Sequence, residues 1–366
     1  GFTHAPADTR GEEQIGAFLQ SWARDNGIFA QRFEAAPGRP CILLETGPKE
    51  GPALLVSAHM DTVWTEMNAP FTLQDKGNFL HGLGAVDDKG PLVSALCALR
   101  ELNRTNISLR FLVLATCDEE FGLIGIQHMI PKHIRPDGVI IAEPTNLKIV
   151  TAHKGCNRFV IQTKGKRVHS SLVPAGENAI YKAAELVSAL KAYSAELLGA
   201  PPHPLLGTNT LNVGVIQGGT QANVVPDACT LTFDFRSLPG ETEESILAHI
   251  QKALSICKAD YDIVEKAFEA PALDTSPDVP MVKHLQNILS AAGHDAEPHG
   301  MPFTTESFQP AKYEIPTIVF GPGDIAVAHA IDEKIAKDQL LQAADLLVRL
   351  VASRNWQKND FTASPR

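Results

Sequence analysis

Three carboxylates stand in a row in TCDEEFG, residues 116–122, directly after the apolar run SLRFLVLA. Like charges crowded at the end of a buried strand push one another's pKa up. Asp118, Glu119 and Glu120 therefore call for open water or for a cation. In isolation such a triplet reads as a surface turn. Four further clusters argue for the cation. PALLVSA runs into His59 and Asp61, GVIIA into Glu143, and TIVFGPGDIAVA into His329 with Asp332 and Glu333 behind it. Asp87 and Asp88 sit in HGLGAVDDKG, just ahead of a helical pattern.

Ligands of open α/β sheets bind beyond the carboxyl ends of the strands, and four of the five clusters end an apolar strand. Each has a plain alternative on its own: a satisfied polar histidine, Asp87 as a helix cap, Glu143 opening a turn before Pro144. Together they deliver imidazole and carboxylate to one sheet edge, where metal ions neutralise the repulsion. Imidazole and carboxylate without thiolate suit zinc, or less selectively cobalt or manganese. Two histidines and three or four carboxylates are too many for one open tetrahedral zinc. They suit two metals sharing a bridging carboxylate. Successive side chains of DEE cannot all bind one ion alike, so one glutamate can ligate while its neighbour faces the bound water as general base. The constellation points to metal-assisted hydrolysis of a carbonyl compound. Rival motifs are weaker: GLGAVDDKG lacks the third glycine and the preceding strand of a nucleotide loop, and no G-x-S-x-G occurs.

The elements that must position these residues follow from periodicity. At 366 residues the chain exceeds one ordinary core, so two domains are expected. A hydrophobic content of 44% with 20% charged residues describes a globular protein. Its net charge of −10 disfavours nucleic acid and anionic membrane as partners. No apolar stretch approaches the ~20 residues that span a bilayer. The six cysteines lie far apart without C-x-x-C, as reduced cytosolic thiols do. From the start at Gly1 without Met, and without a basic-then-apolar leader, a trimmed chain is expected, and nothing present looks like a signal peptide.

Over the first 150 residues short, continuously apolar strands alternate with amphipathic helices, the pattern of a sheet covered on both faces. From NRFVIQTKG to YDIVEK the order becomes β-α-β-β-α-β, the split βαβ arrangement. There Leu231, Phe233 and Phe235 alternate with Thr232, Asp234 and Arg236, which predicts one wet face. Beyond about residue 269 the α/β pattern returns. The expected fold is α/β, a mixed, mostly parallel sheet sandwiched by helices (1–153 and 269–366), with an α+β domain inserted at 154–268. The open edges of the inserted sheet suggest pairing with a second copy.

At SAHMDTV, GLGAVDDKG, TCDEEFG, IIAEPTN, KGKRVHSS, GGTQANVVPD, FDFRSLPG and GPGDIAVAHAIDE the sequence resembles a family of co-catalytic metallopeptidases. That family includes acetylornithine deacetylase, succinyl-diaminopimelate desuccinylase, aminoacylase-1 and glutamate carboxypeptidases, and the resemblance covers essentially the whole chain. It implies a zinc-exopeptidase-like catalytic domain and a ferredoxin-like lid that mediates a homodimer. Carried over by residue, it implies two Zn²⁺ bridged by Asp87, one completed by His59 and Glu143, the other by Glu120 and His329. Glu119 would be the general base, and Asp61 would orient His59. His169, Asn223 and Arg236 would reach the substrate or its oxyanion, with His169 acting from the partner subunit and Arg236 holding the α-carboxylate. Glu306, in TTESF, would select a cationic side chain, although the same stretch reads as a helix start capped by Thr304 or Thr305.

Asp88 departs from the pattern, standing where relatives commonly have Met or Ala. AVD-KGPL resembles lysine-pathway deacetylases, whereas TTESF and GPGDIAVAH look closest to acetylornithine deacetylase. The resemblance thus implies a cytoplasmic amidohydrolase that deacylates a small N-acyl amino acid, N-acetylornithine first, in arginine biosynthesis. A succinyl-diaminopimelate desuccinylase, an acetyl-lysine deacetylase and a dipeptidase or carboxypeptidase are the enzyme alternatives. A metal-dependent binding or regulatory protein is the non-enzyme one, and it is disfavoured because no ligand or base is missing.

Overall fold

The structure, a computed structural model, describes residues 11–63 and 72–362. Its chain divides into two compact units, one of 1–151, 275–299 and 305–366, the other of 152–274 and 300–304.

In the first unit the strands Arg110–Thr116, Ala53–His59, Gly138–Ile141 and Thr317–Val319 lie side by side and parallel. Every residue of Ala53–His59 is buried, and so is all of Arg110–Thr116 except its first. Leu54, Val56, Phe111 and Val113 join the helices Lys89–Leu102 and Lys337–Ala352 in one core through Leu99, Leu346 and Leu350. The alternate residues Leu55, Leu112, Leu114 and Val139 are buried as well, so apolar side chains are needed on both faces. The sheet is mixed because Arg39–Thr46 pairs antiparallel with Arg110–Thr116, and Phe29–Ala36 pairs antiparallel with Arg39–Thr46. This hairpin, turned at Gly38 with φ +71°, lies outside the strands read from the sequence.

In the second unit four strands run in the order Thr210–Gly218, Ala228–Arg236, Cys156–Lys164, Tyr261–Ala270, all antiparallel. The helices Ala179–Leu198 and Glu243–Leu254 are capped by the Asn178 side chain and by a Thr242–Ser245 capping box. They cover one face, burying Phe159, Ile161, Leu231, Phe233 and Phe235 with Leu186, Leu190 and Ile250. Thr232, Asp234 and Arg236 on the opposite face are half-buried. No helix among the described residues is long and apolar enough to cross a membrane.

Candidate metal centre

The parallel strands of the first unit end at one edge of their sheet. His59 is the last residue of its strand, Thr116 closes the next before Glu119 and Glu120, and Glu143 follows Ile141. Asp87 and Asp88 precede the helix Lys89–Leu102, and His329 lies in the loop after Thr317–Val319.

Distances within this group are those of donors around shared cations. Asp87 Oδ1 lies 2.7 Å from His59 Nε2, and Asp87 Oδ2 lies 3.0 Å from His329 Nε2. His329 Nε2 is also 3.0 Å from Glu120 Oε1. One carboxylate thus faces two imidazoles with its two oxygens, the geometry a bridging ligand requires. Ligand atoms of His59, Asp87 and Glu120 lie within 4.8 Å of one another, and so do those of His59, Asp88 and Glu143. Asp88, given no role by the resemblance, therefore joins the His59 side of the cluster. Its Oδ2 accepts the His59 backbone amide at 2.9 Å, while its buried Oδ1 has no hydrogen-bond partner. One oxygen is engaged by the His59 amide, the other is left for a cation, and neither caps a helix amide.

Charge in the cluster is out of balance without a cation. Burial, reinforced by Asp88 and Asp87, pushes the Glu143 carboxyl well above the ordinary range. Burial does the same to Glu119, with Glu143 and Glu120 adding to it against the pull of His59. Hydrogen bonds to Asp87 and Glu120 raise His329 to about 10. Burial alone would lower His59, but its bonds to Asp61 and Asp87 raise it well above the usual histidine range. The donor set is all oxygen and imidazole nitrogen, which fits borderline divalent ions such as zinc.

Asp61 ties two strand ends together. The His59 Nδ1 donates to the Asp61 carbonyl at 3.1 Å and lies 3.5 Å from its carboxylate, which points Nε2 at Asp87. The same carboxylate accepts the backbone amides of Glu119 and Glu120, each at 3.1 Å. Glu333, noted in the sequence only as a cluster member, accepts the amides of Val86 at 2.8 Å and Asp87 at 3.2 Å. Lys89 lies half-buried in the field of Asp61, Asp88, Glu333 and Asp87. Sequence reasoning gave Lys89 no part, since a lysine after an acidic pair reads as a solvated charge.

Glu306 differs from the expectation that it meets a cationic substrate. Its side chain is 1% exposed and accepts the Ser57 hydroxyl at 2.8 Å. Burial pushes its pKa up to about 7, against hydrogen bonds from Thr116 and Ser57. Its carboxyl is therefore turned to Ser57 and is not open to solvent. Nor does it open a helix: Thr305 Oγ1 accepts the Ser307 amide at 3.2 Å, and the short helix Phe308–Ala311 begins later.

The other three predicted residues belong to the second unit. His169 and Asn223 are exposed neighbours, with the Ser170 amide donating to the Asn223 carbonyl at 2.9 Å. The Ser171 amide donates to His169 Nδ1 at 3.2 Å, which leaves the proton of a neutral ring on Nε2. Arg236 Nε donates to Asp234 Oδ1 at 2.6 Å, on the wet face of the sheet.

Comparisons with known proteins find relatives over most of the chain. Acetylornithine deacetylase of Vibrio campbellii is 30% identical over 356 residues, 94% of this chain and 92% of its own length. The enzyme of the same name from Aliivibrio fischeri is 33% identical over 330 residues, 87% of this chain and 85% of its own. Aminopeptidase PepT from Bacillus cereus shares the fold with a TM-score of 0.76 at 20% identity, covering 96% of this chain and 94% of that one. A tripeptidase from Staphylococcus aureus does so with a TM-score of 0.78 at 20% identity, covering 93% of each. The sequence pattern of peptidase family M20/M25/M40 matches residues 55–353, and the chain belongs to that family.

Proposed function

We propose that the chain is a two-metal amidohydrolase that removes the acetyl group from N-acetylornithine, with zinc as its metal. The observation that carries this reading is the Glu119–Glu120 pair on the Asp61 carboxylate. It turns Glu120 to the Asp87–His329 group and leaves Glu119 half-buried, with its pKa raised by desolvation. Asp87 would bridge the ions, with His59, Asp88 and Glu143 on one side and Glu120 and His329 on the other. When bound, the metals polarise the amide carbonyl and make water acidic at neutral pH.

The remaining work falls to the chain's own groups. The Glu119 carboxylate takes a proton from the attacking water and returns it to the departing amine, a task suited to a carboxyl whose pKa burial has raised. His169 Nε2–H and the Asn223 amide can donate to a developing oxyanion. Arg236, fixed through Nε by Asp234, has the fork geometry that binds an α-carboxylate. Ornithine as the side chain rests on the deacetylase relatives, since Glu306 is engaged with Ser57. All six cysteines are free, four of them buried, in support of a reducing, cytoplasmic setting. The open edges of the second unit's sheet support a homodimer.

Steady-state assays on N-acetylornithine, N-succinyl-diaminopimelate, N-acetyl-lysine and a dipeptide panel test the assignment. The highest kcat/KM is expected for N-acetylornithine. A higher value for the succinyl substrate or for a dipeptide would reassign the chain within its family.

A further inference from the structure

One buried ion cluster lies outside the metal centre and ends on the residue next to it. Arg39, at the start of the hairpin strand, reaches Glu12 with Nε at 3.1 Å and with Nη2, and reaches Asp118 with Nη1. Glu12 and Asp118 are each 3% exposed, and the Asp118 amide also lies 3.4 Å from Glu12 Oε1. Asp118 adopts a left-handed backbone, φ 63°, an unfavourable conformation for a residue with a side chain. Its carbonyl accepts the amides of Gly122 at 3.2 Å and Leu123 at 2.6 Å, closing the turn that carries Glu119 and Glu120. At Gly122 a Cβ would sit 2.5 Å from Asp118 Oδ2, so the carboxylate packs against the turn where only glycine leaves it room.

A buried ion triad contributes little net stability, because desolvating its charges offsets their attraction. What this one fixes is direction. From one side Arg39 sets Asp118; from the other Asp61 sets the amides of Glu119 and Glu120. We propose that Arg39, seated on Glu12, is a positioning residue that acts through Asp118 to aim Glu120 at the metal and Glu119 at the reacting water. This rests on the two-metal reading above.

The test is Asp118→Asn, which keeps the size of the side chain, with Arg39→Lys as a second variant that keeps the charge and loses the fork. Zinc is titrated into the metal-stripped full chain against a chromogenic chelator, and kcat and KM are measured on N-acetylornithine. Asp118→Asn should weaken zinc at one of two sites about 10–100-fold and lower kcat by a similar factor, the usual scale for groups that orient a ligand. KM should stay nearly unchanged, whereas the thermal midpoint of the metal-free chain should fall, because removing one charge of a buried ion pair leaves its partner less compensated. Arg39→Lys should fall between wild type and Asp118→Asn, and it decides the matter if Asp118→Asn does not fold. Wild-type zinc affinities and kcat in a folded variant, with only the thermal midpoint lowered, would make the triad a brace and overturn the proposal. A wild-type chain that takes up no zinc would instead overturn the metal reading itself, and the positioning role with it.

Discussion

Glu119 and Glu120 are adjacent in sequence and held by one carboxylate, yet they meet different surroundings. Glu120 lies 3.0 Å from His329, whereas desolvation raises the proton affinity of the half-buried Glu119. Glu119→Gln should therefore keep two metals and lose at least ~10²-fold in turnover, the scale of general-base catalysis. Glu120→Ala should lose metal. Elemental analysis showing Glu119→Gln empty and Glu120→Ala fully loaded would reverse the two roles. Glu306 makes a separate prediction, since its carboxyl is held at about 7 against an ordinary 4.5. Between those two pH values the unfolded chain ionises this group while the folded chain keeps the proton, so stability falls as pH rises and levels off above about 7. In the metal-free protein Glu306→Gln should remove that slope and gain on the order of 3 kcal/mol at pH 8 relative to wild type. Urea titrations at pH 5 and pH 8 giving the same stability difference would show that Glu306 is already ionised in the fold.

Among the elements, the helix Lys89–Leu102 shows packing overriding propensity. Its second residue is Gly90, and replacing glycine by alanine in a helix ordinarily stabilises by ~1 kcal/mol. Here a Cβ would meet the Ala85 carbonyl at 2.4 Å and Ile335 Cδ1 at 2.7 Å. Gly90→Ala should thus destabilise by about 1–3 kcal/mol, the cost of overpacking. A thermal midpoint that rises instead would show that the turn bearing Asp87 can yield. The elements themselves were largely legible. Apolar runs such as Ala53–His59 announce buried strands, and the alternation at 231–236 announces a one-sided sheet, because burial on two faces or one leaves different periods. The candidate metal cluster was legible for the same reason, since most of its members stand within a few residues of such an element, His59 at a strand end and Asp87 just before a helix. What escaped was held by partners distant in sequence. Arg39 and Asp118 are 79 residues apart, Glu333 and Val86 are 247 apart, and Glu306 meets Ser57 across 249. Nothing local distinguishes those charges from solvated ones. The hairpin Phe29–Ala36 and Arg39–Thr46 escaped differently: it breaks the alternation of helix and parallel strand that the first 150 residues otherwise follow.

For the whole molecule, the second unit's sheet has Thr210–Gly218 and Tyr261–Ala270 as its two edge strands, each paired on one side only among the described residues. Val215, Ile216, Ile263 and Val264 are exposed on them, a liability that pairing with a second copy removes. Sedimentation at micromolar concentration should give a dimer, and a fully active 39.5 kDa monomer would refute both the dimer and a cross-subunit role for His169. The central claim is that converging carboxylates in the first unit are balanced by two metal ions that the reaction needs. The most direct test measures metal content and N-acetylornithine hydrolysis on one preparation, before chelation, after it, and after zinc is restored. Two ions per chain, activity lost on stripping and regained with zinc, is the predicted result. Undiminished turnover by the metal-free chain would contradict it.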